Sequence, residues 1–200
     1  MKNVLFLLII CTACVRPQVL PISSRYNTVS ILNDSVWFGT ARAIPIFNKK
    51  TEPAKEFQLN ISTDIEYSGN SSKHHSTTIT GCVTDCVPTQ HLAIYYIPLR
   101  RGRFNLQNLA KRSTSDWDRT SYALVVNGSG VAKRFIYARR NQSWIRITKY
   151  DSQSKTIEGN FNFDLDEDLT VYNRLKNNMP PIARFRQSVF RVQLEELKFK

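Results

Sequence analysis

Two hundred residues, 42% hydrophobic and 22% charged, are enough for one domain with a real core. No period of roughly 20 to 50 residues repeats, which excludes a solenoid. The formal net charge is +12, unevenly placed: residues 100–150 hold 12 Lys/Arg against 2 Asp/Glu, whereas residues 151–200 hold 8 of each. A concentrated field of one sign gathers anions. Phosphate-bearing membrane surface, acidic glycan and nucleic acid all carry the complementary charge. The plainer alternative is a set of solvated basic residues on outward strand faces.

The chain opens on Lys2, a positive n-region, followed by the apolar run VLFLLII over residues 4–10. That is a minimal secretory h-region. A membrane-spanning helix needs about 20 apolar residues, and the run breaks at Arg16. The segment therefore targets rather than spans. Thr12 and Ala13, both small, precede Cys14. The pattern resembles the bacterial lipobox, in which the cysteine is acylated, with palmitate among its lipids, and the bond before it is cut. Cys11 stands where lipoboxes usually carry Leu. The alternative is an ordinary signal peptide cut nearby, with Cys14 incidental. The expected layout is a signal peptide over 1–13, a lipid anchor and tether over 14–33, and a β domain over 34–200. Buried acyl chain contributes about 0.8 kcal/mol per CH₂. The expected address is the cell envelope, at the outer membrane, with the membrane as partner through the N-terminal lipid. Export also argues against nucleic acid and in favour of an acidic glycan or an envelope protein.

Further along, residues 36–46 (VWFGTARAIPI) read as a strand whose Pro45 belongs at a sheet edge. Phe57, Leu59 and Ile61 alternate with Gln58 and Asn60, the pattern of a half-buried strand. Residues 77–82 read as a short strand. Residues 91–98 (HLAIYYIP) are apolar on both faces, which predicts a central strand, and Gly102 allows a turn after it. Between Ser121 and Leu165 four strands follow one another. Asn127-Gly128 is a hairpin signal between the first two, and the segment DSQSK turns between the last two. These four predict an antiparallel meander. Asp164, Asp166, Glu167 and Asp168 lack the spacing and glycine of an EF-hand, so they read as a polar loop or the first turn of a short helix over 169–175. Phe190, Val192 and Leu194 share one face of a last strand. The predicted fold is all-β, a single antiparallel β-sandwich or open barrel with a C-terminal meander.

Cys82 and Cys86 sit in TGCVTDCVP. Residues four apart on an extended strand lie roughly 13 Å apart, and a disulfide needs Cα atoms within about 7 Å. A bridge therefore requires a turn, which Thr84-Asp85 suits. An exported protein favours the disulfide. A metal site with His74, His75 or His91 is the alternative, but the spacing matches no zinc signature.

No HExxH, GxSxG, P-loop or GxGxxG occurs. Asp116 and Asp118 flank Trp117, but DWDR in a polar loop reads as a turn rather than a glycosidase pair. No catalytic residue, metal or cofactor is expected. The remaining constellation is a surface. With Ile145 and Ile147 inward, Trp144, Arg146, Thr148 and Tyr150 face outward, beside Asn160 and Asn162 of the next strand and near Arg139 and Arg140. Such a face can stack on sugar rings and donate hydrogen bonds to anions. Alternatively a second layer covers it. Arg146 decides between the two, because a buried unpaired arginine is costly.

The segment SWIRITKYDSQSKTIEGNFNFDL, followed later by FRQSVFRVQL, is similar to the closing motif of a family of Bacteroidota lipoproteins of unknown function. The residues that carry the resemblance are Tyr150, Asp151, Gly159, Phe161, Phe163, Ser188 and Phe190, with SVWFGTARA at 35–43 as the matching first strand. The resemblance implies an exported all-β lipoprotein and brings no catalytic residue with it. The expected role is therefore a non-enzymatic envelope lipoprotein of accessory or binding type, with recognition of acidic glycan or lipopolysaccharide phosphates through residues 100–150 as the alternative.

Overall fold

The computed structural model describes Leu20 and residues 24–47, 49, 51–67, 78–115, 118–137, 143–171 and 179–196. Its elements are β1 (Thr28–Leu32), β2 (Ser35–Ile46), β3 (Glu56–Thr63), β4 (Gln90–Pro98), β5 (Gly102–Asn105), α1 (Leu106–Ala110), β6 (Ser121–Val126), β7 (Gly130–Ile136), β8 (Trp144–Asp151), β9 (Thr156–Glu167) and β10 (Ile182–Gln193). Among the described residues, no helix is long and apolar enough to cross a membrane.

The all-β, antiparallel expectation holds, and the sheet closes. Strands run in the order β10-β1-β2-β3-β4-β6-β7-β9, and β9 pairs back onto β10. Closure removes the free sheet edges that would otherwise template association. β8 and β5 continue outward from β9 as an extension of the same sheet. Period-2 alternation sorts the faces. Leu59 and Ile61 of β3, Leu92 and Ile94 of β4, and Tyr122 and Leu124 of β6 are all fully buried. Rings fill the middle: Trp37 and Tyr122 each meet Phe185 edge-on at 5.2 Å, a favoured aromatic geometry.

β1 begins at Thr28 and is a full barrel stave, so the domain starts before the expected Asp34. The cause is the Asn33-Asp34 turn, in which both residues have positive φ (46° and 67°). Asn and Asp tolerate that conformation, and the turn folds 28–32 onto β2. Pro45 lies in β2 opposite Phe57. β1 stops pairing with β2 at Gly39, so Pro45 sits at a local edge, where its missing N–H breaks no ladder.

The four strands between 121 and 167 form two hairpins. β6 pairs with β7 through Asn127-Gly128, and β8 pairs with β9. β7 then joins β9 rather than β8, through Phe135↔Glu167 and Ile136↔Asp166. The twelve-residue β9 makes this possible. β8 pairs with β9 only as far as Asn162, so the same edge stays free at 166–167 for β7. Side chains reinforce that short seam. The buried Lys133 ammonium lies 2.9 Å from Glu167 and donates to the Met179 carbonyl, and Arg134 stands 3.8 Å from Asp168. Arg186 pairs with Asp164 at 2.5 Å. Three members of the acidic cluster thus hold strands together. The helix expected over 169–175 lies mostly outside the described residues.

Residues 78–82 form bends and a turn, not a strand. The Asp64 carboxylate takes the place of a ladder there, accepting from Thr80 N, Thr80 Oγ1 and Gly81 N at 2.8, 2.7 and 2.6 Å. Burial alone would raise the Asp64 pKa, but these bonds outweigh it and hold the carboxyl below its ordinary value. Cys82 and Cys86 form the disulfide, with Cα atoms 5.2 Å apart. Gly81, at φ 62°, sits with its Cα against the Tyr26 and Phe38 rings, which stack on each other at 4.1 Å.

Candidate functional site

The outer face of the β5-β8-β9 extension collects the surface predicted from alternation. Ile145 and Ile147 are buried, so Trp144 and Arg146 of β8 point the other way, and Arg146 is exposed. In register, Trp144 faces Asn162 and Arg146 faces Asn160 across the β8-β9 ladder. On the opposite side, β5 places Arg103 directly against Arg146. Arg103 lies over the Trp144 ring, its guanidinium carbon 4.3 Å from the centroid, a cation–π geometry. Arg146 is exposed while Trp144 is half-buried, so among the described residues the Arg146 end of this face is open.

Tyr150 does not belong there. The β8-β9 register shifts between Ile147 and Lys149, and Tyr150 then pairs with Ile157 and packs against the core. A β-bulge adds one residue and so reverses the side-chain parity beyond it. Alternation read through position 148 cannot see that. Arg139 and Arg140 lie outside the described residues, as do Cys14, His74, His75, Asp116 and Trp117.

Arg103 is the member that sequence reading missed. Its local signal was present, because Gly-Arg-Phe-Asn alternates with Phe104 turned toward the core. What no local pattern announces is that β5 skips the intervening strands and pairs with β8.

The basic quarter of the chain divides in two. Arg112 is ion-paired with Glu56 and lies over Tyr96, and Lys133 and Arg134 close the β7-β9 seam. These charges are spent internally. Arg100, Arg101, Arg103 and Arg146 gather on the β4-β5 turn and the β5-β8 pair, and among the described residues none of them forms an ion pair. Arg100 lies over the Phe104 ring at 5.5 Å. Like charges directly opposed across a ladder destabilise it, so the Arg103-Arg146 pairing costs stability. Among the described residues, the buried Asn160 Oδ1 accepts no hydrogen bond.

No family model, curated protein or solved structure matches this chain.

Two other groups have catalytic residue types. Ser62 Oγ and His91 Nδ1 are 3.0 Å apart on facing positions of β3 and β4. Burial pushes the His91 pKa down, and among the described residues no carboxylate orients its other nitrogen. Asp118 organises its own loop. It accepts from Tyr96 Oη at 2.5 Å, from Ser113 Oγ, and from the Ser115 and Thr114 amides at 2.9 and 3.1 Å. Burial would raise its pKa, but the hydrogen bonds dominate and keep it ionised far below the usual carboxylate range. That is the turn role read from DWDR. Among the described residues, no group of three or more His, Cys, Asp or Glu could hold a metal ion.

Proposed function

We propose that this chain is a non-enzymatic cell-envelope protein, lipid-anchored through Cys14, that binds acidic glycan or lipopolysaccharide phosphates on the β5-β8-β9 face. The observation that carries the reading is the Arg103-Arg146 pair, register partners on β5 and β8 with the Arg103 guanidinium over Trp144 and Arg146 exposed. Arginine matches phosphate and carboxylate in a bidentate way, and a Trp ring offers a stacking plane for a sugar. The anchor rests on the leader and on the resemblance to Bacteroidota lipoproteins. It would hold the basic face where anionic envelope polymers are concentrated.

Two experiments test the two halves separately. Metabolic labelling with a fatty acid should mark the wild-type chain and leave Cys14→Ala unlabelled; an unlabelled wild type removes the anchor. Heparin resin should retain full-length Cys14→Ala and release it as salt rises, as screened charge contacts require. Release at low salt by the wild-type face, or unchanged retention of an Arg103→Gln/Arg146→Gln variant, removes the proposed site.

A further inference from the structure

The barrel is not filled to both ends. A cavity of about 280 Å³ opens at the end where the β1-β2, β3-β4 and β9-β10 connections meet. Leu32, Val36, Ile65, Tyr67 and Met179 form its walls, and Trp37 and Tyr122 form its floor. The polar atoms of the floor are already occupied. Trp37 Nε1 and Tyr122 Oη both donate to Gln90 Oε1, at 2.8 and 2.6 Å, and Gln90 Nε2 donates to the Ile65 carbonyl at 2.7 Å. A molecule in the cavity therefore meets mostly ring faces and alkyl groups; among the described residues the exception in its lining is the Asn33 side-chain amide nitrogen, which is buried and donates to no partner. Glu66 stands exposed on the rim.

A second observation points the same way. Among the described residues the exposed large apolar side chains are Val36, Ile79, Val83, Val87, Val131 and Leu169. All six lie on connections or strand starts at this one end, on the β1-β2, β3-β4, β6-β7 and β9-β10 sides. The apolar exposure thus lies on connections at the end where the cavity opens, and of the six Val36 lines the cavity itself. Val36, 70% exposed, belongs to both rim and wall.

We propose that this end of the barrel binds a small, neutral, apolar molecule, lipid-like or aromatic, that passes the apolar rim and rests on Trp37 and Tyr122. Eight-stranded barrels have an interior just wide enough for one such ligand, and apolar walls with few polar groups are the usual make-up of small-molecule sites. The site uses β1, β2 and β6, whereas the basic face uses β5, β8 and β9, so either can stand without the other.

The test uses full-length Cys14→Ala, which keeps acyl chains out of the assay, and two dyes with the same ring system. N-phenylnaphthylamine is neutral; anilinonaphthalene sulfonate carries a negative charge. The neutral dye should brighten on binding, and Ile65→Trp, which fills the cavity, should weaken it about tenfold or more. Val36→Asp should weaken it too, and its exposed position spares the core. Thermal unfolding accompanies each variant, and if Ile65→Trp does not fold, Val36→Asp carries the decision. An unchanged emission with the parent chain overturns the proposal. So does brightening that survives both substitutions, or that disappears with Arg146→Gln instead, which would place the dye on the basic face.

Discussion

Arg146→Gln should raise stability and lower affinity at the same time. Arg103 and Arg146 are register partners on β5 and β8, and Arg146 is exposed. Unit charges repel by about 1 kcal/mol at 4 Å in water, so solvated guanidiniums at roughly twice that distance repel by about 0.5 kcal/mol. Removing one charge should therefore stabilise the free protein by about 0.5 kcal/mol, a rise of roughly 1–2 °C in Tm for a domain of this size. The gain should shrink in high salt, because the repulsion is screened. The same substitution removes one charge-assisted contact to a polyanion, worth about 1.5 kcal/mol or roughly tenfold in affinity. Arg103→Gln should behave differently. It relieves the same repulsion but loses the stacking on Trp144, worth about 0.5–1 kcal/mol at an exposed site, so its Tm should stay level or fall. The assays are thermal unfolding at low and high salt, and elution from heparin resin on a salt gradient. A lower Tm for Arg146→Gln at low salt, or elution at an unchanged salt concentration, would refute the electrostatic reasoning.

Other consequences are structural. A Cβ on Gly159 would lie 2.5 Å from the Arg146 carbonyl oxygen and 2.6 Å from the Phe190 ring. The carbonyl belongs to a ladder that cannot yield, so Gly159→Ala should cost about 3 kcal/mol; an unshifted urea midpoint would contradict this. Glu167→Gln leaves the buried Lys133 unpaired and should cost about 3 kcal/mol, while Lys133→Met/Glu167→Met should recover most of that loss. Equal losses in the single and double variants would show that the ion pair does not close the seam. The His91 pKa is lowered by burial, so the unfolded chain takes up a proton near pH 6.5 before the folded one does. Stability should fall as pH drops below about 6.5, and Asp64, also held low, should add a further loss through the carboxylate range. Urea midpoints across this interval, with His91→Gln flattening its upper part, are the check.

How much was legible depended on how local each feature is. Alternation located β3, β6 and β9, a run apolar on both faces located β4, and the Asn127-Gly128 hairpin followed from two residues. A turn between Cys82 and Cys86 followed from bond lengths. The parity of Tyr150 was not legible, because a bulge leaves the residue pattern intact and changes only the pairing. The β7-β9 seam was not legible either. Its information is spread over Lys133, Arg134, Glu167 and Asp168, whose charges read equally well as solvent-facing. The start of β1 was hidden for a third reason: in 28–32 the burial runs against the apolar alternation, with Val29 and Ile31 only half-buried. Thr28 and Ser30 are buried polar residues there, and Ser30 bonds to Ser188 across the ladder at 2.6 Å.

The seam also changes what the net charge means. Residues 100–150 carry their excess of positive charge in sequence, yet Arg112, Lys133 and Arg134 are matched by Glu56, Glu167 and Asp168, all from outside that segment. Part of the basic run is thus the complement of acids elsewhere in the fold, and closes the barrel. Among the described residues, Arg100, Arg101, Arg103 and Arg146 form no ion pair, and they lie around β5 and β8, the strands beyond the closed staves. An extension that adds nothing to closure can carry an opposed arginine pair that a barrel stave could not tolerate. That separation is why the Arg146 substitution is expected to improve the fold and impair binding, whereas the Lys133 and Glu167 substitutions are expected to injure the fold first.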